Sequence, residues 1–412
     1  MAGVRQTPSN IIYLLRNNMF SGLERPGINV RHRIMSEYGP ISGSTIFTAL
    51  SEEKTIIMAA NTRVALVAPG IFRAAKELDT AVIMELAKSE SNLKGGYTGL
   101  TPELFSEKMN AYTEEITFDV WALHADHITI KDGTREEVED TKKLIDGQVE
   151  AGFTSFAIDA SHLFNFEGGD LREELADNID ITTELAKHIE KRMKGREYGL
   201  EVEVGEIGRE DAHGRVLTHP EEAVTFITAL NENDVYPQVL AIANGSAHGN
   251  VYDERGNPIP QVSIDIPQTR AVAKALRDNK LNVQIAQHGI TGTPLELINT
   301  QFPKGDIIKG NVGTHWQNLV WDIIKIFEPG LYNEIHEWTL NNYREKAPDK
   351  KDEQIFGTYS KNAIKVFFDK IYNVDDDTKT AIEAQAYADA LKFFKAFSSK
   401  GTAKLVRKKI KK

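Results

Sequence analysis

The chain has 412 residues, of which 41% are hydrophobic and 26% charged, a composition with ample apolar mass for a large core and unlike that of a disordered chain. Its formal charge of −11 argues against a general nucleic-acid binder, which needs a positive surface to displace counterions. With no cysteine it forms no disulfide, thiolate zinc site or iron–sulfur cluster, so any metal must sit on nitrogen and oxygen ligands.

In chain order, residues 1–54 read as an N-terminal helical extension, with a helix in IIYLLRNNMF and a second helix leading into the first strand, that caps one end of the strand-bearing domain. The N-terminal apolar stretch is too short for a signal-peptide core, and no run of eighteen apolar residues occurs, so a cytoplasmic protein without membrane contact is expected. From residue 55 short apolar runs alternate with helical patterns. The runs are TIIMAAN (55–61), AVIMELA (81–87), FDVWALHADH (118–127), SFAIDAS (155–161), GLEVEVGEIG (199–208), QVLAIANGS (238–246), NVQIAQHG (283–289) and GDIIKGNVG (305–313). Between them, segments such as REEVEDTKKLIDGQVEAG (135–152), EEAVTFITALNEN (221–233) and QTRAVAKALRDN (268–279) carry apolar residues three and four apart. Strands separated by helices imply a parallel sheet covered on both faces, and eight such units close a (β/α)8 TIM barrel over residues 55–329. An open dinucleotide-binding sheet is disfavoured because no G-x-G-x-x-G follows the first strand. Residues 330–412 read as a C-terminal extension with helices in KNAIKVFFDKIY and IEAQAYADALKFFKAF, a charged linker REKAPDKKDEQ, and a frayed basic tail KLVRKKIKK.

Polar residues accumulate at the C-terminal ends of these strands, where barrels of this kind carry their active sites. The third strand ends in His124-Ala125-Asp126-His127, the fourth in Asp159, the fifth carries Glu201 and Glu203 with Glu210 and Asp211 beyond it, the sixth leads to His248 and the seventh to His288. Barrel closure would bring His127, His248 and His288 together, and three neutral imidazoles with an open position suit a catalytic divalent ion such as Zn²⁺. One difficulty is parity: His124 and Asp126 share a face of an alternating strand while His127 points the other way. If His127 enters the site, Asp126 follows only where the strand's end bends into a loop.

These motifs, H-A-D-H (124–127), S-F-A-I-D-A-S-H (155–162), E-V-E-V-G (201–205), S-A-H-G-N-V-Y (246–252), H-G-I-T-G (288–292) and K-G-N-V-G-T (309–314), resemble in order those of the class II, metal-dependent fructose-bisphosphate and tagatose-bisphosphate aldolases, over about residues 55–328. The resemblance implies that His127, His248 and His288 hold the metal and that Asp126 exchanges a proton with the aldehyde-derived oxygen. It puts Asp159 and Glu203 near an alternative or second metal position, and one of Glu210 and Asp211 as the base that deprotonates the ketose donor. It places Gly249, Gly289, Thr291, Gly292, Lys309, Asn311, Gly313 and Thr314 in phosphate- and donor-binding turns, Thr314 serving also as a helix cap. It further implies Zn²⁺ or another divalent transition metal, with room for a second metal or a monovalent cation, and a homodimer or homotetramer.

The expected reaction is retro-aldol cleavage of a phosphorylated ketose to dihydroxyacetone phosphate and an aldehyde through an enediolate. The alternatives are another barrel metalloenzyme, a sugar-phosphate isomerase or hydrolase, or a non-catalytic sugar-phosphate-binding relative. Three departures from the family bear on substrate choice. Gly313 stands where the family carries an acid, the loop KSESNLKGGYTG (88–99) matches poorly, and the arginine that some members contribute across a subunit interface to the distal phosphate has no clear counterpart, Arg344 being the nearest candidate.

Overall fold

Eight short parallel strands close on themselves in the computed structural model, which describes residues 37–205, 210–211, 214–247 and 249–411, with 210–211 and 214–215 described through their backbone alone. They are β1 (Ile57–Asn61), β2 (Val82–Ala87), β3 (Trp121–Thr129), β4 (Ser155–Asp159), β5 (Gly199–Glu203), β6 (Val239–Ala241), β7 (Gln284–Gln287) and β8 (Ile307–Val312). Each neighbours the next in sequence and β1 pairs with β8, Ile57 opposite Lys309, so the (β/α)8 barrel is closed as expected. Every apolar run foreseen in the sequence overlaps one strand, the third strand running two residues past its run. These runs are not alternating because both faces of a parallel sheet are covered, and nearly every strand residue is buried.

The foreseen crossover helices form at Arg135–Glu150, Pro220–Glu232 and Ile266–Asp278, the first capped by the Thr134 hydroxyl and the last by the Asp265 carboxylate. Residues 37–412 make one compact unit. The helix Gly43–Leu50 lies at the N-terminal ends of the strands, where the amide of Gly43 donates to the Thr154 carbonyl and a Cβ at Gly43 would strike Ser155. The helix expected in IIYLLRNNMF lies outside the described residues.

Residues after Pro329 pack into the barrel itself. The helix Asp376–Ala396 lies against the helix that follows β1, so closely that a Cβ on Gly70 would collide with the backbone of Glu383 and Tyr387. It also touches the helix Thr314–Phe327 after β8, closing the outer ring where its first and last members meet. The end of the chain is not frayed: Thr402–Ile410 is helical with Ala403 and Val406 buried. Arg407 Nε and Nη2 bind Asp119 at 2.8 and 2.7 Å while Nη1 binds Asp79 at 2.6 Å. Nor does KNAIKVFFDKIY form one helix. It breaks into a turn at Ser360–Asn362 and short helices Ala363–Val366 and Phe368–Tyr372, because the segment packs on the loop after β2, where the Lys365 amide donates to the Tyr97 carbonyl at 3.1 Å. Part of the expected linker is likewise the helix Asp352–Tyr359. Among the described residues no helix is long and apolar enough to cross a membrane.

Candidate active site

A cavity of about 370 Å³ opens at the C-terminal ends of the strands, a size suited to a small molecule. Its residues fall into two halves around the barrel. On β3, β4 and the far side stand Asp126, His127, Asp159, Glu203 and His288; on β1, β2 and β8 or just beyond them stand Asn61, Arg63, Glu85, Glu90, Asn311 and Thr314.

The parity conflict in H-A-D-H is resolved by a bulge. Against β4 the register shifts between Ala125 and Ile128, so Asp126 and His127 together face Ala157, while pairing to β2 continues through Asp126. His127 takes the left-handed conformation, φ 38°, which a non-glycine residue rarely adopts. Both side chains thereby reach the cavity while the strand runs on to Thr129, instead of bending into a loop as anticipated.

Ligand atoms of Asp126, His127 and His288 all lie within 4.8 Å of one another, and the two imidazole rings are 4.4 Å apart between centroids. Each imidazole is also oriented by carboxylates. His127 Nδ1 is 3.2 Å from Glu203 Oε2 and 3.4 Å from Asp159 Oδ2, and His288 Nε2 is 2.9 Å from Glu201 Oε1. A carboxylate on one nitrogen fixes the ring and makes the opposite nitrogen a better metal donor. The N/O donor set and its convergence at a cavity therefore fit a divalent ion, with His127, His288 and Asp126 in reach of it. His127, Asp159 and Glu203 form a second group of the same kind. Burial and then Asp159 push the Glu203 carboxyl up to about 8, so with no cation present this acid-rich corner retains a proton. His248 lies outside the described residues. Glu210 and Asp211 form a two-residue antiparallel ladder with Gly214–Arg215 in the segment after β5, and their side chains lie outside the described structure.

Beneath the cavity is a network the sequence did not disclose. Lys309 was expected to bind substrate, but its side chain is fully buried and does not line the cavity. Its ammonium stands 2.7 Å from Glu201, 3.1 Å from Glu85, 3.4 Å from Asp126 and 3.2 Å from His124 Nε2. The reason is its place in β8, where the inward face below Asn311 meets the acids of β2, β3 and β5. Burial and then Lys309 lower His124 to about 3, so His124 is neutral, accepting from Lys309 at Nε2 and bonding Ser155 Oγ through Nδ1 at 2.7 Å. Burial acts to raise the Asp126 carboxyl, but His127 and Lys309 outweigh it and hold it ionised. Asn311 donates to Asp126 Oδ1 at 3.2 Å and to Glu85 Oε1 at 2.8 Å.

Of the turn residues, Gly249, Gly289, Thr291, Asn311, Gly313 and Thr314 line the cavity and Gly292 does not. Gly289 sits at φ 64°, and a Cβ there would strike the backbone of Ala247, so this close turn requires glycine. Thr314 is the first residue of its helix, the cap position belonging to Gly313, and its hydroxyl accepts from Arg63 at 3.3 Å. Arg344 does not line its own chain's cavity, as a residue expected to act across a subunit interface need not; it is half exposed and pairs with Asp352 at 2.6 Å. The arginine that is present, Arg63, was missed, as were Glu90, Tyr97 and Lys361. Arg63 follows the first strand by two residues, and Glu90 and Tyr97 lie in the loop KSESNLKGGYTG, whose length and polarity were the only signal there.

A family model described as fructose-bisphosphate aldolase class-II matches residues 42–410. Similar curated proteins include fructose-bisphosphate aldolases of Helicobacter pylori, 28% identical over 48% of this chain and 53% of that protein, and of Corynebacterium glutamicum, 27% identical over 48% and 55%. The chain thus spans about half the length of these relatives. A D-tagatose 6-phosphate 4-epimerase of Agrobacterium fabrum is 35% identical over 22% of each chain. Among solved structures, the fructose-bisphosphate aldolase of Campylobacter jejuni superposes with a TM-score of 0.57 at 18% identity, covering 88% of this chain and 97% of that one, and shares the fold.

Proposed function

The chain belongs to the class II fructose-bisphosphate aldolase family, and on that premise we propose that it cleaves a phosphorylated ketose reversibly into dihydroxyacetone phosphate and an aldehyde. The observation that carries this reading is the convergence of Asp126, His127 and His288 at the open end of a closed barrel. His127 and His288, with His248 from the sequence, would hold a divalent ion, Zn²⁺ in our proposal. Such an ion would act as a Lewis acid on the ketose carbonyl and stabilise the negative charge that develops there on cleavage.

The protein's own groups supply positioning and proton transfer. Asp126, held ionised and anchored through Oδ1 by Lys309 and Asn311, would take the proton from the hydroxyl whose carbon becomes the aldehyde. Glu203 and Asp159 fix the His127 ring, and Glu201 fixes that of His288. A carboxylate of the hairpin after β5, Glu210 or Asp211, would move the proton at the donor carbon. The glycine turns at Gly249, Gly289 and Gly313, with Thr291 and Thr314, would receive a phosphate on backbone amides and hydroxyls.

The epimerase among the similar proteins favours a second reading, in which the same carbon–carbon bond is broken and remade with inverted configuration. Both readings are tested by supplying the metal-loaded protein with a panel of ketose mono- and bisphosphates. Triose phosphate release supports cleavage as the net reaction. An epimeric ketose without triose release supports the second reading, and covalent trapping of substrate on a lysine by borohydride would contradict both.

A further inference from the structure

We propose that the buried side-chain amides of Gln261, Gln287 and Asn244 form a clamp that sets the spacing of the loops after β6 and β7, and so positions His248 and His288 about the ion. The proposal rests on the reading that these two histidines hold the metal.

The strand ladder alone does not place both histidines. His288 directly follows the last residue of β7, but β6 ends at Ala241 and His248 belongs to the loop beyond it. That loop leaves along residues 244–247 and returns along 261–265, with the two limbs side by side. The Ser263 hydroxyl donates to the Gly245 carbonyl at 2.8 Å, the Asp265 amide donates to the Asn244 carbonyl at 2.8 Å, and a Cβ on Gly245 would strike the Ser263 carbonyl. The hairpin between the limbs, Val251–Tyr252 paired with Pro258–Ile259, is braced from outside by the helices Thr314–Phe327 and Asp352–Tyr359. Asn250 Oδ1 accepts from Asn318 Nδ2 at 3.0 Å, and a Cβ on Gly357 would fall 1.7 Å from Tyr252 Oη.

Between this loop and the turn after β7 stand three buried amides. Gln261 Oε1 accepts from the Ala247 amide at 3.2 Å, its Nε2 donates to the Gly289 carbonyl, and its backbone amide donates to the Gly292 carbonyl at 3.0 Å. One side chain thus holds the residue before His248 and the residue after His288. Alongside it, Asn244 Nδ2 donates to Gln287 Oε1 at 2.7 Å, while Gln287 Nε2 donates to Asn244 Oδ1 at 3.3 Å and to the His288 carbonyl at 2.8 Å. A primary amide carries an acceptor and a donor on one carbon, so it satisfies an N–H of one loop and a C=O of the other at once. It does so without adding a charge to a site already crowded with carboxylates and imidazoles. Glu201 orients the His288 ring at Nε2, and the amides fix the backbone that carries it. Replacing Gln261 by an apolar chain would strand a buried N–H on one loop and a buried C=O on the other, and nothing would then hold the two loops at one separation.

The test uses the full-length protein and needs no turnover. In metal-free protein, hydrogen exchange at the Ala247 amide reports the clamp, and Gln261→Leu should speed it about tenfold. In the same variant, Zn²⁺ titrated against a chelator should bind roughly 10- to 100-fold more weakly. The visible absorption of the Co²⁺-loaded protein, which reports ligand geometry, should change with it. Gln238→Leu is the matched control. Gln238 makes a similar bridge at the opposite end of the barrel, accepting from the Leu200 amide at 2.8 Å and donating to the Tyr236 carbonyl at 3.0 Å. Its loss should lower stability and leave Zn²⁺ affinity and the Co²⁺ spectrum at parent values. Gln261→Glu keeps the acceptor for Ala247 and removes only the donor to Gly289. It should leave the Ala247 amide protected yet still weaken Zn²⁺ binding, and it carries the test if Gln261→Leu does not fold. Parent-like Zn²⁺ affinity and Co²⁺ spectrum in the Gln261 variants overturn the positioning role, as does equal weakening by Gln238→Leu or unchanged exchange at Ala247 in Gln261→Leu. If the exchange responds while the parent protein itself binds no divalent ion, the metal reading fails and the clamp between the two loops stands.

Discussion

The two halves of the cavity are built differently. Asp126, Asp159 and Glu203 are strand residues and His288 follows a strand by one, so each is placed by the barrel's hydrogen-bond ladder and by the closure that brings distant strand ends together. Arg63, Glu90, Tyr97 and Lys361 sit on loops and a turn, and side-chain bonds through Glu90, Gln317 and Ser360 join those segments. The first arrangement fits a function set by the fold, namely holding an ion and moving protons. The second depends on side-chain packing between segments far apart in sequence and is free to vary, which suits substrate selection.

If this division holds, the largest effects belong to the strand-borne half. His127→Ala or His288→Ala should lose bound metal and reduce cleavage to background while the barrel stays folded, checked by metal analysis and circular dichroism. Asp126→Asn should lower cleavage by on the order of 10²–10⁴, and should spare much of the exchange of the donor's carbon-bound hydrogen with deuterated water measured without aldehyde. Equal loss of both would mean that Asp126 acts on the donor as well.

The layer beneath the cavity should respond in stability. Lys309→Met strands Glu85, Glu201 and Asp126 as buried acids around an apolar chain, and denaturant unfolding should show a loss of about 3–5 kcal/mol. An unchanged midpoint would mean that these acids take up protons at little cost.

The loop-borne half should show the smallest and most pH-dependent effect. Burial acts to raise the Glu90 carboxyl, but Arg63 and the donors of Ala87, Tyr97 and Asn61 outweigh it and hold it below its ordinary 4.5. A carboxylate depressed on folding contributes stability that is fully present above the unfolded value and lost as pH falls through the folded one. Glu90→Gln should therefore be less stable than the parent by about 1.5–3 kcal/mol at neutral pH, with the gap closing below pH 4.5. A gap independent of pH would show that Glu90 acts through shape instead of charge.

What could be read from the sequence follows the same division. The eight strands were visible because parallel strands buried on both faces are continuous apolar runs, and the polar rim because those runs end in His, Asp and Glu. The reach of Asp126 and His127 into one site was not, since it depends on a bulge and a left-handed residue that simple alternation hides. The motif of Lys309 reads as a substrate contact because it adjoins Asn311 and Thr314, whereas strand parity turns the side chain into the barrel, where the acids of neighbouring strands surround it. Arg63 and Lys361 left no signal at all, because a charge on a loop looks the same whether it faces solvent or a cavity. The segment after Pro329 looked appended for a related reason: the backbone contact of Gly70 with Glu383 and Tyr387 is a tertiary fact.

The central claim, that an ion held by His127 and His288 provides the electrophile for carbon–carbon cleavage, is tested most directly by titration. Metal-free protein would be given Zn²⁺ in steps, with bound metal and the rate of triose phosphate release from a ketose bisphosphate measured on the same samples. The account predicts no cleavage without metal and a rate that rises in proportion to bound ion. Full activity in metal-free protein, or a rate indifferent to occupancy, would contradict it.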